Sequence, residues 1–241
     1  MKELLLPNFD ERKSPIDMLV FHSTIFEAGK FCYTCHQYKT SAHYHIGLDG
    51  TITKLVDEEK RAWHAGLSSW RNIKKDINSH SIGIEIQNKT LGQTPFSKTQ
   101  IEKLIPFAKK IIKKYNIKPE KIVGHSDIAP ERKPDPGHKF PWKTLSKEGI
   151  GIWYNLRDAE KIKENNIKKL LGSIGYKTSD ENAAAYAFCR RFLPQYVEKE
   201  KDIMHLVDNV LNSDFYFINE EKFRKTLKAV AYSYLSLSKK P

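Results

Sequence analysis

The sequence predicts an α/β domain followed by an all-helical segment, and three observations carry that reading. Short continuous apolar runs, Met18-Leu19-Val20-Phe21 and Ile122-Val123, have the pattern of buried strands. A capping-box pattern, Ser97-Lys98-Thr99-Gln100, opens a long amphipathic stretch. Beyond Trp153, strand alternation gives way to helical stripes, which places a boundary near residue 155 and divides the chain into 1–155 and 156–241.

Taken in order, the 18–21 run is a strand that ends in His22-Ser23-Thr24. Thr51 to Val56, after Asp49-Gly50, reads as a hairpin strand. Residues 81–88, SIGIEIQN, alternate apolar and polar as a half-buried strand should. After the capping box, Ile101, Leu104, Ile105, Ala108, Ile111, Ile112 and Tyr115 recur on one helical face. Pro106 lies inside this stretch, so a kink or an offset first turn is expected. The chain then passes through Asn116 to Pro119 into the strand before His125. In the last third the stripes are Ile167, Leu170, Leu171 and Ile174, then Ala184, Phe188 and Phe192. Two more follow: Ile203, Leu206, Val207, Val210 and Leu211, then Phe223, Leu227, Val230 and Tyr234.

The chemistry concentrates in residues 124–137, GHSDIAPERKPDPG. Pro130, Pro134 and Pro136 restrict this loop, so its side chains are held in fixed directions at little ordering cost. His22 and His125 occupy equivalent places, each the first polar residue after a buried strand. Two imidazoles and the Asp135 carboxylate on a tetrahedral metal leave a fourth position for water, the pattern of catalytic zinc. Glu85 is the one acid inside the 81–88 strand, and burial between isoleucines would raise its pKa toward that of a general base. Lys133 is the candidate electrophile for a developing oxyanion.

These segments, with LVFHST (19–24), SAHYHIGLDGTITKLV (41–56), AWHAGLSSWR (62–71) and FPW (140–142), resemble the zinc-dependent N-acetylmuramoyl-L-alanine amidases of the AmpD and AmiD type. The AWHAG segment and the helical C-terminal part are closer to the AmiD type. The resemblance implies a mixed central sheet flanked by helices, the fold shared with peptidoglycan recognition proteins. It also implies one Zn2+ on His22, His125 and Asp135, with Glu85 as acid/base and Lys133 as transition-state stabiliser. The implied reaction is hydrolysis of the amide between N-acetylmuramic acid and L-alanine in peptidoglycan or muropeptides, including 1,6-anhydro forms. The alternative is a peptidoglycan recognition protein that binds without cutting; such proteins typically lack a ligand, and this chain keeps all of them. Residues 174–176 and 188–194, including Arg190-Arg191, are similar to a three-helix peptidoglycan-binding module. Two readings of the helical segment therefore stay open, a wall-targeting module or a buttress of the catalytic domain.

Substrate contacts are expected from His64, Trp63, Tyr44 and Asn88, with a structural hydrogen bond as the rival for His64 and core packing for Trp63, Trp70 and Trp142. His43, like Tyr44, is a weak candidate for the cleft wall; His36, His45, His80, His138 and His205 read as surface or packing residues. Cys32 and Cys35 have the spacing of a redox or zinc pair, but no second CxxC completes a structural site, and a reduced pair is favoured. A net charge of +12 attracts polyanions, yet no nucleic-acid module is present. An anionic cell wall or a solvated helix face accounts for the lysines equally well. No apolar run reaches membrane-span length, and no secretory leader or lipobox is visible, so a cytoplasmic location is the default and the cell envelope the alternative.

Overall fold

The computed structural model of the chain describes residues 1–197 and 216–237. The stripe Ile203 to Leu211, and His205 within it, lie outside the described residues. In chain order the strands are β1 (Lys2–Glu3), β2 (Phe9–Glu11), β3 (Met18–Thr24), β4 (Tyr44–Ile46), β5 (Ile52–Lys54), β6 (Lys60–Ala62), β7 (Ser81–Gln87) and β8 (Ile122–Gly124). The helices are α1 (Ala28–Tyr38), α2 (Ile77–His80), α3 (Lys98–Tyr115), α4 (His125–Ile128), α5 (Trp142–Lys147), α6 (Ile167–Ile174), α7 (Glu181–Phe192) and α8 (Glu221–Leu237).

Six strands form one sheet in the order β1-β5-β4-β7-β3-β8. Only β4 and β5 pair antiparallel within it, closing the hairpin expected at Asp49-Gly50; Gly50 has φ 78°, a conformation open to glycine. The other pairings are parallel, so the sheet is mixed and flanked by helices, as the sequence led one to expect. β3 is buried at every residue because helices cover both of its faces.

Alternation along β3 divides the core in two. Leu19 and Phe21 point into a cluster with Ile82, Ile84, Ile86 and Ile122, capped by Leu104, Ala108 and Ile111 of α3. Met18 and Val20 point the other way, into a cluster with Leu171 and Ile174 of α6, Phe188 of α7, and Phe223, Leu227 and Val230 of α8. The residues beyond 155 thus share one apolar core with the strands, and the change from strand to helix near 155 is not a break in that core.

α3 opens as its sequence requires. Ser97 Oγ accepts from Gln100 N at 3.1 Å, and Gln100 Oε1 accepts from Ser97 N at 3.1 Å. The helix runs through Pro106 without interruption. Pro106 sits on the exposed side, where the carbonyl deprived of its partner meets water, so helix continues on both sides of it.

Candidate metal centre

Three parallel strands deliver the site. β7, β3 and β8 all end at the same edge of the sheet, and His22 of β3 lies in register with Glu85 of β7. His125 follows β8 directly as the first residue of α4. The proline-rich loop then returns, and Asp135 O accepts from Ser126 N at 2.8 Å, which places its carboxylate beside both imidazoles. His22 Nδ1 is 3.0 Å from His125 Nδ1 and 3.2 Å from Asp135 Oδ2, and His125 Nδ1 is 3.1 Å from the same oxygen. All three residues are buried.

This donor set fits a metal ion. His125 Nε2 lies 3.2 Å from Ala65 O, and a carbonyl only accepts, so the ring proton belongs on Nε2 and Nδ1 is bare. A bare nitrogen and a carboxylate oxygen in contact repel unless a cation lies between them. Tetrahedral coordination with ligand distances of about 2.0 Å calls for donor spacings of about 3.3 Å, close to those observed. Burial first, then the neighbouring His125, brings the His22 pKa down to about 4, so its imidazole is neutral. For Asp135, burial pushes the pKa up, but His125 and His22 outweigh it and hold the group well below the usual carboxylate range.

Glu85 shares the metal-facing side of the sheet. Burial pushes its carboxyl well above the ordinary range, Asp135 adds to the shift, and Lys133 opposes it. Its Oε2 is enclosed and has no hydrogen-bond partner. Lys133 is half-buried, its backbone tied to Ala129 O at 3.0 Å, and its charge acts on both His22 and Glu85. His22, His125, Asp135, Glu85 and Lys133 therefore come together.

Several residues support this set. His64 Nδ1 is 3.0 Å from His22 Nε2, so His64 stands behind His22 and makes a side-chain hydrogen bond there. Asp127 is the buried hub of the loop. Its Oδ2 accepts from Gly124 N at 2.9 Å and Arg191 Nη1 at 2.7 Å, and its Oδ1 accepts from Tyr176 Oη at 2.7 Å. The Arg191 guanidinium also stacks over Trp142, 3.8 Å from the ring centroid. Asp127 and Arg191 escaped sequence reasoning as partners because nothing local links a loop acid to a helix arginine far along the chain. Arg132 donates to Leu67 O at 2.6 Å and holds the 65–67 segment against the loop.

Other expectations differ. Tyr44 pairs in register with Ile84, so it projects from the sheet face opposite Glu85, where it contacts Phe107 and donates to Glu58 at 2.7 Å. A shift of one residue along a strand changes the face, and it is His45 that shares the metal-facing row. His45 is packed, its Nε2 3.0 Å from Phe26 O and its ring against Phe31. His43 is buried behind His64 rather than lining a cleft. Asn88 organises a turn: its Oδ1 accepts from Thr90 N, Thr90 Oγ1 and Gly92 N, and its Nδ2 donates to Thr94 O, so its amide oxygen is committed within the turn. Trp63 is half-buried with its indole nitrogen enclosed, whereas Trp70 and Trp142 are core residues. Cys32, Cys35 and Cys189 are free, and burial pushes the Cys35 thiol up to about 12, which makes it unreactive.

Known proteins are related to this chain in sequence and in fold. AmiD, an N-acetylmuramoyl-L-alanine amidase of Escherichia coli (strain K12), is 40% identical over 161 residues, covering 61% of this chain and 57% of the relative. The chain thus spans little more than half the length of that relative, and 53% of the AmpD of Enterobacter cloacae, described as a 1,6-anhydro-N-acetylmuramyl-L-alanine amidase. The solved complex of E. coli AmiD with anhydro-N-acetylmuramic acid-L-Ala-D-gamma-Glu-L-Lys superposes with a TM-score of 0.72 at 29% identity, covering 95% of this chain and 92% of that one. AmpDh3 of Pseudomonas aeruginosa, solved with anhydromuramic pentapeptide, gives a TM-score of 0.67 at 32% identity over 80% of this chain and 89% of that one. The pattern of the N-acetylmuramoyl-L-alanine amidase family matches residues 12–138, a stretch that holds His22, Glu85, His125, Lys133 and Asp135, and the chain belongs to that family.

Proposed function

We propose that this chain is a zinc hydrolase that cleaves the amide between the lactyl group of N-acetylmuramic acid and L-alanine in muropeptides, 1,6-anhydro forms included. The observation that carries this reading is the convergence of His22, His125 and Asp135 beside an unpartnered Glu85 oxygen. Zinc suits two nitrogen donors and one oxygen donor, and His22, His125 and Asp135 would hold it. When bound it supplies Lewis acidity, which brings the ionisation of water to near neutral pH and polarises a carbonyl.

The residues around it do the rest. Glu85, ionised, accepts the proton of the attacking water as the water oxygen bonds to the amide carbon. Lys133 places its charge beside the oxyanion that develops. Glu85 then returns the proton to the nitrogen as the carbon–nitrogen bond breaks, leaving a lactyl carboxylate and a peptide with a free L-alanine amine. Among the described residues no helix is long and apolar enough to cross a membrane.

Incubation with a defined anhydromuropeptide, followed by mass spectrometry, tests the reading. The expected products are the anhydro-sugar acid and the intact stem peptide. Zinc-loaded protein that binds the muropeptide and releases neither would favour a recognition protein.

A further inference from the structure

We propose that His64 is a positioning residue: it is the central link of a one-way hydrogen-bond chain, starting at Ile77 O and passing through Ser81, that keeps the metal-facing nitrogen of His22 free of its proton. The inference rests on the metal-centre reading above and assigns His64 and Ser81 a part in it.

The direction of the chain follows from its far end. Ser81 Oγ lies 2.7 Å from Ile77 O, and a backbone carbonyl can only accept, so the single hydroxyl proton points there. Ser81 Oγ therefore accepts from its other neighbour, His64 Nε2, at 3.2 Å. A neutral imidazole carries one proton, so His64 Nδ1 is bare. It faces His22 Nε2 at 3.0 Å and must accept from it. His22 then holds its own proton on Nε2, and Nδ1 is left as a lone pair beside His125 Nδ1 and Asp135 Oδ2. One carbonyl at the start of α2 thus dictates the tautomer of a ligand two side chains away. His125 reaches the same state in one step through Ala65 O.

The geometry is built for this purpose. A Cβ at Gly83 would lie 2.5 Å from the His64 ring, so only glycine at this strand position lets the imidazole lie flat across β7 and reach both partners. His64 and Ser81 are buried, so water does not compete for these bonds. Without the acceptor, His22 could place its proton on Nδ1, in which form it cannot bind a metal, and its ring could turn. Loss of such outer partners typically weakens metal binding about 10–100-fold.

Zinc affinity measured by competition with a chromophoric chelator tests this without reference to catalysis. His64→Leu should weaken zinc binding by about 10–100-fold. His64→Asn, which keeps an oxygen acceptor near the Nδ1 position, should recover most of the loss, and Ser81→Ala should show a smaller loss. Imidazole nitrogen NMR of the zinc-loaded wild-type protein should find His64 and His22 both protonated at Nε2. Unchanged zinc affinity in His64→Leu, or a proton on His64 Nδ1, would overturn the proposal. If His64→Leu does not fold, Ser81→Ala and the wild-type spectrum decide. A wild-type protein that bound no zinc would defeat the metal-centre reading instead, while its spectrum would still decide the direction of the chain.

Discussion

Glu85 shows how much a single residue is asked to do against its own preference. Its folded pKa is raised, mainly by burial, above an ordinary value of 4.5. A base must be ionised to act, so kcat/KM should fall tenfold per pH unit on the acid side of the Glu85 pKa in the loaded enzyme. Glu85→Gln should keep the fold and the metal while lowering turnover by about 10²–10⁴-fold; wild-type turnover would point to another proton acceptor. Linkage adds a second outcome. A carboxyl with a raised folded pKa contributes its full stability below its unfolded pKa and loses it as pH rises through the folded value. The metal-free Glu85→Gln protein should therefore gain on the wild type in thermal stability as pH rises from about 4 to neutral. Equal pH profiles for the two proteins would show that Glu85 is not buried against its charge.

At the scale of elements, β7 is the strand on which the site depends most closely. Ser81, Gly83 and Glu85 alternate onto its metal-facing side, while Ile82, Ile84 and Ile86 fill the core beneath α3. Gly83→Ala adds one methyl group and no charge, yet it should displace the His64 ring and weaken zinc binding in the same direction as His64→Leu. Parallel chelator titrations of the two variants check this, and normal affinity in Gly83→Ala would mean that the ring can shift without loss. The neighbouring turn is also closely fitted. A Cβ at Gly92 would lie 1.9 Å from Pro136 O, so the turn held by Asn88 backs directly onto the loop that carries Asp135. Asn88→Ala should act through that loop, weakening metal binding rather than substrate affinity alone. A raised KM with unchanged zinc affinity would restore Asn88 to the substrate.

Across the whole molecule, the segment beyond residue 155 bears on the site through Asp127, which accepts from both Arg191 and Tyr176. Arg190 and Arg191, which resembled part of a wall-binding module, are both buried, and Arg191 is paired with Asp127 two residues beyond His125. Arg191→Met would leave the Asp127 carboxylate buried without its cationic partner, a loss of about 3–5 kcal/mol. Thermal melts should show this destabilisation, and zinc affinity should fall with it because His125 shares the same short helix. A chain ending near Asn155 would expose Met18, Val20 and Val123, so it should melt early and lose activity on small muropeptides as well as on intact sacculi. Full activity on soluble fragments after truncation would instead favour a targeting role for these helices.

Local patterns in the sequence determined the strand ends, the capped helix, the rigid loop and the five residues that converge at the candidate metal centre, because each depends on residues close in the chain or on a motif of fixed spacing. The helical stripes at 167–174, 184–192 and 223–234 were legible for the same reason. What they pack against was not, since an apolar stripe records that it is buried but not its partner. Tertiary structure decided the rest. Strand pairing sent Tyr44 to one face and His45 to the other, a one-residue difference that composition does not encode. Folding brought Asp127 to Arg191, and His64 between Ser81 and His22; such bonds join side chains from separate elements, and their direction is set by a backbone carbonyl that leaves no mark in the sequence.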